Sequence, residues 1–478
     1  MDKSSMTPVS ETDGTYEVNS VPSKQGRRNL DDLYTSYEKT LHIVENDNEF
    51  SSLPHFNGNK TKPLHRWFTY KEGFSAKLLK WVCKTTKTDL DSIESLLDPF
   101  VGVGTSLLTA QLEYRGKNNL NLIGIERNPF TAFVARTKLN WFSFDEKIIS
   151  DLIPDLVSRV SNRNGEEFDI ADLSTLKNEK VFDRNQLQDL LFARKLITSD
   201  LVGKNESDFF KLGWASIIET VSNVRKDGRA LRIVDKDARP PVYKLLEAKW
   251  QEMLKDIKDS SKELSLIERG EIKTNIFDGD GRTLETLPEN TGKFDLILYS
   301  PPYLNNLDYS EVYKMELWLT EAIKSQDEFR NLRLSTMRSH PSITFPETDL
   351  VDNLPSTEWS KILRDSLIDL IPQGTHQKAR VRIIRAYMDD MLLTLQKQFI
   401  YSKSGSYVIC VVGNSVHGNK EHSIPIATDL LISSLAQFVG FEVERLQITR
   451  YTKRRDYIDV NQSIKKAQRE TIIVLRHP

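Results

Sequence analysis

The sequence lacks the features that define several large protein classes. Among 478 residues only two are cysteine, Cys83 and Cys410, which excludes a disulfide framework and any zinc site built from four cysteines. No run approaches the about 18 consecutive apolar residues of a membrane helix. The first residues show neither the basic start nor the apolar core of a secretory signal. We therefore expect a cytoplasmic protein with no membrane partner.

An excess of charge of one sign is also missing. Lys and Arg total 66 and Asp and Glu total 68, which gives a formal net charge of −2. This balance excludes a globally basic coat, but a local basic face is enough to bind the phosphates of a nucleic acid. The eight histidines show no metal-ligand spacing with carboxylates, so no metal site is predicted.

Hydrophobic periodicity predicts an α/β domain that is interrupted by helical segments. Asp98 and Ser300 both end predicted strands but lie 202 residues apart, whereas three βα units need only about 100 residues at ~30 each. The charged segment 141–268, which has no strong strand, is therefore an insertion. The predicted strands are 94–98, 120–126, 272–277, 293–299, 406–412, 441–448 and 471–476, and the predicted helices are 73–84, 105–115, 185–197, 241–257 and 425–438.

A glycine-rich turn, DPFVGVGT at 98–105, joins the first of these strands to a helix. Glycines there let the backbone approach a ligand closely, and the helix N-terminus offers free N–H groups. A dinucleotide fingerprint would need glycine at Leu107, and a phosphate-binding P-loop would need a lysine after Gly104. The next strand ends at Glu126, where an acid can bind a ribose diol.

A second motif, Ser-Pro-Pro-Tyr at 300–303, follows the apolar strand 293–299 directly. Two consecutive prolines restrict their own backbone and bias the preceding residue to extended geometry. The Ser300 hydroxyl and the neighbouring carbonyls are therefore held rigidly at the carboxyl end of a strand.

These motifs together resemble those of the S-adenosylmethionine-dependent DNA amino-methyltransferases, the N4-cytosine and N6-adenine type. The glycine turn resembles the family's cofactor motif, and Ser-Pro-Pro-Tyr matches its catalytic tetrapeptide in the serine form typical of cytosine-N4 enzymes. The segment 67–75 resembles the loop and helix that contact the methionine end of the cofactor. The resemblance covers about 65–135, 270–320 and 405–476.

The resemblance implies a Rossmann-like class I methyltransferase fold, with a seven-stranded, mostly parallel sheet, an antiparallel C-terminal hairpin and helical insertions. Composition, spacing and the resemblance together divide the chain into a flexible tail, three methyltransferase parts and two helical segments. These are the tail 1–28, the cofactor-binding part 29–140, the helical insertion 141–268, the catalytic part 269–320, the helical region 321–400 and the C-terminal part 401–478.

The site residues follow from the same resemblance. Glu126 would bind the cofactor ribose, and Asp280 would meet the adenine amino group. The expected cofactor-binding residues are Phe74, Ser75, Asp98, Pro99, Phe100, Gly102, Gly104, Thr105, Glu126 and Asp280. The expected catalytic residues are Ser300, Pro301, Pro302 and Tyr303.

An exocyclic amine is a poor nucleophile because its lone pair is delocalised into the ring. Acceptors on its two N–H groups, Ser300 Oγ and the Pro301 carbonyl, would favour a pyramidal nitrogen, and Tyr303 would stack on the base. Because a base inside a duplex cannot reach such a pocket, the target must be flipped out of double-stranded DNA.

Contact with DNA is predicted at a basic loop between the last two strands, with Arg450, Lys453, Arg454 and Arg455. Target recognition is assigned to the insertion 141–268 or to the region 320–400. Two further clusters of cations are candidates for phosphate contact. They are Lys378, Arg380, Arg382 and Arg385, and Arg330, Arg333 and Arg338.

The sequence thus predicts transfer of a methyl group to cytosine N4 in a specific DNA sequence, with a restriction endonuclease or other defence protein as a candidate partner. Adenine N6 is the nearest alternative, and the guanine amino group of RNA is another. A catalytically silent DNA-binding module is the alternative from a different class, which the intact tetrapeptide disfavours. Cytosine C5 methylation would need a cysteine nucleophile, which neither cysteine context fits.

Overall fold

The structure of the protein, a computed structural model, is built on a central β-sheet with helices on both faces. Among the described residues, no helix is both long and apolar enough to cross a lipid bilayer. The structure describes residues 24–45, 50–168, 180–201, 203–227, 230–234, 236, 239–305, 307–372, 375–417, 423–452 and 462–478.

The strands are numbered in chain order. They are β1 (Ile43–Val44), β2 (Ser95–Asp98), β3 (Leu120–Glu126), β4 (Val224–Asp227), β5 (Ala230–Ile233), β6 (Ile272–Asp278), β7 (Phe294–Tyr299), β8 (Ser402–Gly413), β9 (Ser415–His417), β10 (Ile424–Ile426), β11 (Glu442–Tyr451) and β12 (Arg469–Arg476).

The helices are numbered in the same way. They are α1 (Lys24–Glu38), α2 (Lys77–Thr86), α3 (Thr105–Glu113), α4 (Pro129–Leu139), α5 (Glu146–Ser161), α6 (Arg184–Asp200), α7 (Glu206–Ser216), α8 (Ile218–Val221), α9 (Val242–Leu264), α10 (Tyr309–Val312), α11 (Lys314–Leu319), α12 (Gln326–Ser335), α13 (Trp359–Asp369), α14 (Thr375–Tyr401), α15 (Thr428–Val439) and α16 (Gln462–Lys466).

The sheet is almost entirely parallel. Its order is β1-β11-β12-β8-β7-β2-β3-β6, and only β12 runs against its neighbours β8 and β11. The predicted α/β class with a mostly parallel sheet and an antiparallel C-terminal hairpin is confirmed. Among the described residues the central sheet has eight strands where seven were predicted, because β1 has only two residues and such a short strand carries no alternating pattern.

Both faces of the sheet are buried, as expected for parallel strands covered by helices. Successive side chains of a strand point to opposite faces, so Leu96 and Leu97 enter different cores, as do Leu298 and Ile297. The first core contains α2, α3, α4 and the helices of segment 141–268. The second contains α1, α13, α14 and α15.

Four local features differ from the sequence prediction. Segment 141–268 contains a small antiparallel hairpin, β4–β5, where no strong strand was predicted. A second small hairpin, β9–β10, precedes α15, which begins at Thr428 instead of 425. Helix α1 begins at Lys24, inside the predicted tail 1–28. Helix α2 begins at Lys77, because residues 73–76 form the turn that leads into it.

One buried carboxylate of the insertion holds the loop that precedes α2. Asp256 on α9 accepts hydrogen bonds from the Leu64 backbone N–H at 2.9 Å and from Trp67 Nε1 at 3.2 Å. It also forms a two-pronged ion pair with Arg66. The ring of Trp67 packs edge-on against Phe209 of α7 with the ring centroids 5.8 Å apart. The insertion therefore positions the segment that the sequence assigns to cofactor contact.

Candidate active site

A pocket opens at the carboxyl edge of the sheet, between the turns that follow β2, β3 and β7. Ligand sites of open α/β sheets lie at this edge, where the connections on either side of the sheet diverge. Ten of the fourteen residues predicted for the cofactor and catalytic sites line it. They are Phe74, Pro99, Phe100, Gly102, Thr105, Glu126, Asp280, Ser300, Pro301 and Pro302.

The glycine turn forms one wall of the pocket, but its two glycines have different roles. Gly102 lines the pocket at φ +53°, and a Cβ there would lie 3.2 Å from the ring of Tyr70, which also lines it. Gly104 at φ +83° instead lies against Leu139 and Ala135 of α4. It does not line the pocket and packs at the start of α3, so its contact with a ligand stays a prediction.

Two other predicted cofactor residues also lie behind the pocket wall. Asp98 is buried, with its carboxylate accepting hydrogen bonds from the Phe100 N–H at 3.1 Å and from the Ser106 hydroxyl. Ser75 is buried as well, and its Oγ accepts a hydrogen bond from the Lys77 N–H at the start of α2. Both residues shape the loops of the site and do not line the pocket.

Glu126 ends β3 with its carboxylate at the pocket. One oxygen accepts a hydrogen bond from the Gly102 N–H at 2.8 Å, and the other accepts one from the Asn128 N–H at 2.9 Å. These bonds fix the carboxylate while leaving lone pairs for ligand hydroxyl groups. Thr105 Oγ1, also at the pocket, is buried and has no hydrogen-bond partner within the described residues.

The carboxyl groups of Glu72 and Glu126 line the pocket, and that of Asp98 lies behind its wall. Burial raises the pKa of all three, and that of Asp98 reaches about 7, with the nearby Glu126 charge adding to the effect. Burial disfavours the charged form of an acid unless a cation approaches. Such a cluster therefore favours a ligand that carries positive charge.

Asp280 lines the pocket, as predicted for a cofactor-binding residue, but its carboxylate already forms an ion pair with Arg282. Its two carboxylate oxygens accept hydrogen bonds from the Arg282 guanidinium, the shortest at 2.7 Å. Arg282 in turn donates to Asp390 of α14 at 3.0 Å. The proposed contact with an adenine amino group would use the remaining lone pairs of a carboxylate held in this pair.

Ser300 follows β7 and faces the neighbouring strand β8. Its hydroxyl donates to the Val411 carbonyl at 3.0 Å and lies 3.2 Å from the Tyr303 hydroxyl. Because a carbonyl can only accept, the single hydroxyl hydrogen of Ser300 is directed to Val411, and the Tyr303 hydroxyl then donates to Ser300 Oγ. One lone pair of Ser300 Oγ is left for an N–H donor. Ser300, Pro301 and Pro302 all line the pocket.

Tyr303 does not line this pocket. Its ring lies against Gly413 at the end of β8, in a smaller adjacent pocket, and its backbone N–H donates to the Tyr309 hydroxyl at 3.1 Å. A base in the main pocket could stack on this ring only after the side chain turned. The stacking role therefore stays a prediction.

Two aromatic rings of the pocket wall pack together. Tyr70 belongs to the segment 67–75 that the resemblance assigns to cofactor contact, and it stacks on Tyr313, which the sequence reasoning missed, with centroids 5.2 Å apart. The Tyr313 hydroxyl donates to Glu72 at 2.5 Å. A group that the sequence reasoning missed lies at the end of α12 and in the irregular segment after it, which a helical pattern cannot reveal. It comprises Ser335, Thr336, Met337, Ser339 and His340.

The predicted basic loop is described only in part. Arg450 on β11 is held by Glu470 of β12 in a two-pronged pair, the shorter distance being 2.6 Å. Lys453, Arg454 and Arg455 lie outside the described residues. β11 is parallel to β8, so the loop leaves the sheet at the edge where Ser300 lies. Phosphate contact by this loop stays a prediction.

The other two cation clusters are partly neutralised by acids. Arg385 pairs with Asp352 at 2.9 Å, Arg333 pairs with Asp308 at 2.8 Å, and Arg338 is buried against Asp390 at 2.6 Å. Their pairing leaves less free positive charge on these surfaces than the sequence suggested.

No protein-family model matches the chain. Curated relatives cover most of it at low identity. The chain is 23% identical over 482 residues to the Type II methyltransferase M.BsoBI of Geobacillus stearothermophilus, covering 92% of this chain and 91% of that protein. It is 24% identical over 457 residues to M.AvaI of Anabaena variabilis, covering 88% of each. It is 23% identical over 440 residues to M.MvaI of Kocuria varians, covering 86% of this chain and 89% of that protein. The chain is thus similar to Type II methyltransferases across both the sheet and the helical segments.

Proposed function

We propose that the protein is a Type II DNA methyltransferase of a restriction–modification system, which transfers a methyl group from S-adenosylmethionine to cytosine N4 within a specific sequence of double-stranded DNA. The observation that carries the proposal is the convergence of the glycine turn, Glu126 and Ser300-Pro301-Pro302 on one pocket. The similarity to Type II methyltransferases supports it independently. The serine at position 300 is what favours cytosine over adenine.

The pocket residues fit this cofactor. The carboxyl groups of Glu72 and Glu126 suit a cation, and Glu126 also suits a ribose diol. The Thr105 hydroxyl, which has no partner among the described residues, offers a further hydrogen bond. S-adenosylmethionine, when bound, supplies an activated methyl group on a positively charged sulfur. An anionic pyrophosphate, as in a dinucleotide, would instead face carboxylates beside the glycine turn.

The chain's own contribution is positioning of the target amine. Ser300 Oγ, oriented by the Val411 carbonyl, accepts a hydrogen bond from one N–H of the amine, and the Pro301 carbonyl offers a second acceptor. These bonds favour the pyramidal nitrogen that attacks best. Holding amine and methyl donor in line supplies most of the rate without a metal or a covalent intermediate.

The test is mass spectrometry of nucleosides from DNA incubated with the protein and isotopically labelled cofactor. Labelled N4-methylcytosine is expected, and Ser300→Ala should lower the methylation rate by about 10²–10³-fold, as for loss of one transition-state hydrogen bond, while binding of S-adenosylhomocysteine persists. Ser143→Ala, which removes a hydroxyl that bonds only locally to the Asn140 carbonyl, is the control. Label in N6-methyladenine would correct the base, and an active Ser300→Ala would overturn the assigned site.

A further inference from the structure

Two buried polar groups on the pocket wall have no hydrogen-bond partner within the described part of the chain. They are Ser339 Oγ and His340 Nε2, in residues that are 1% and 2% exposed. Buried polar groups in folded proteins are nearly always paired, because an unpaired one forfeits its hydration without replacement. An unpaired hydroxyl next to an unpaired imidazole nitrogen therefore suggests a ligand that supplies the missing bonds.

The neighbours of His340 determine which ring nitrogen carries the proton. The Ser342 hydroxyl donates to Asp308 at 2.9 Å and accepts from Arg333 at 2.8 Å. Because its only hydrogen is directed to Asp308, Ser342 must accept the 2.7 Å bond from His340 Nδ1–H. Burial lowers the pKa of His340, so the ring stays neutral near pH 7. Nε2 is therefore a bare acceptor, turned away from Asp308.

The same short segment ties His340 to the catalytic tetrapeptide. Asp308, which holds Ser342, caps the N-terminus of α10, and the next residue, Tyr309, accepts the hydrogen bond from the Tyr303 N–H. Tyr309 and Ser310 of α10 line the pocket together with Ser300. His340 and the tetrapeptide are thus braced by one element at one cavity.

We propose that Ser339 and His340 bind the polar edge of the target base. His340 Nε2 accepts a hydrogen bond from an N–H of the amine, and the Ser339 hydroxyl donates to the adjacent ring nitrogen, which is N3 in cytosine. This assignment rests on the proposed methyltransferase function. In this arrangement Ser300 Oγ accepts from the first N–H of the amine. His340 Nε2 accepts from the second N–H, in place of the Pro301 carbonyl.

The pattern of acceptor beside donor matches the amino group and adjacent ring nitrogen of cytosine or adenine. At C6 and N1 of guanine, and at C4 and N3 of thymine, the corresponding positions carry a carbonyl oxygen and a ring N–H, so the amino donor is missing from its place there. A site with buried polar groups rejects a ligand that leaves them unpaired. The pair therefore contributes to the choice of base as well as to its orientation.

The experiment compares methylation kinetics of the wild type, His340→Phe and His340→Gln on one DNA substrate. Phenylalanine keeps a planar ring but removes the acceptor, and glutamine restores an acceptor oxygen. We expect His340→Phe to lower kcat by about 10²–10³-fold, the range for one lost hydrogen bond at a reacting group, and His340→Gln to recover part of it. His42→Phe, the same change at an exposed histidine on the sheet's far edge, is the control. Thermal melting and calorimetric binding of S-adenosylhomocysteine check the fold and the cofactor site.

Full activity of His340→Phe would overturn the proposal and leave the second N–H to Pro301. Loss of S-adenosylhomocysteine affinity in His340→Phe would also overturn it, because the histidine would then belong to the cofactor site. If His340→Gln had a kcat no higher than that of His340→Phe, the size of the side chain and not its acceptor would matter, which would overturn the assigned hydrogen bond. A wild type that transfers no methyl group to DNA would overturn the proposed function itself, and this inference with it.

Discussion

Asp98 should make the protein less stable as the pH rises towards neutrality. Burial raises its pKa from 3.8 to about 7, so between these values the folded state holds a proton that the unfolded state has lost. Stability then falls by about 1.36 kcal/mol per pH unit until the folded carboxyl also ionises. From pH 5.5 to pH 8.5 this amounts to about 2 kcal/mol, most of it below pH 7, and above pH 8 the contribution levels off.

The comparison is between wild type and Asp98→Asn, whose amide keeps an acceptor for the Phe100 N–H. The free energy of unfolding, measured by urea denaturation from pH 5.5 to 8.5, should rise for the variant relative to wild type by about 2 kcal/mol across this range. Asp295→Asn is the matched control. Burial favours the neutral form of Asp295, but hydrogen bonds from Lys403 and Ser95 and the charge of Lys403 lower its pKa. The difference in unfolding free energy between Asp295→Asn and wild type should therefore not change between pH 5.5 and 8.5.

A flat difference curve for Asp98→Asn would refute the argument, because it would mean that the carboxyl is ionised in the folded state throughout. The same group also gives a readout of ligand charge. A cation bound near Asp98 favours its ionised form, so binding of S-adenosylmethionine near pH 6.5 should release protons. Calorimetry in buffers of different ionisation enthalpy would detect this, and Asp98→Asn should abolish part of the release.

The other predictions concern the turn and the insertion. Gly102→Ala should weaken S-adenosylhomocysteine binding about tenfold in calorimetry, because the new Cβ meets the Tyr70 ring at a residue with a left-handed φ. Gly104→Ala should mainly lower the melting temperature. The opposite pattern would contradict the placement of Gly102 at the pocket and of Gly104 against α4. Lys226→Met should cost about 3–5 kcal/mol in urea unfolding because it leaves Glu316 charged, buried and unpaired. Adding Glu316→Gln should recover much of that loss, and no recovery would contradict the ion-pair explanation.

The parts of the fold that follow from the sequence are those with local patterns. The strand Phe294–Tyr299 was predicted to within one residue because apolar residues run without a break into Ser-Pro-Pro. Glu126 could be placed at the pocket because it is the last residue of a parallel strand, and the carboxyl ends of these strands lie at one edge of the sheet. The positions of residues at strand ends depend only on secondary structure and strand direction, and both can be predicted from one sequence.

The parts that the sequence could not give depend on contacts between distant segments. Gly102 and Gly104 look equivalent in the chain, but helix α4 packs beside only the second of them. His340 lies in a stretch without periodicity, and its neighbour Asp308 is 32 residues earlier in the chain. The hairpin β4–β5 was hidden because its four-residue strands, VRKD and ALRI, show no alternation of polar and apolar side chains.

The insertion illustrates how a segment can serve a site without lining it. Lys226 of its hairpin pairs with Glu316 of α11, and its ammonium group lies 4.2 Å from the centre of the Tyr313 ring. Tyr313 in turn stacks on Tyr70 and donates to Glu72, and all three line the pocket. Since interior packing transmits displacement, a shift of the hairpin would move this wall of the pocket. If the insertion reads DNA, as the sequence suggests, recognition and cofactor geometry would share one set of contacts.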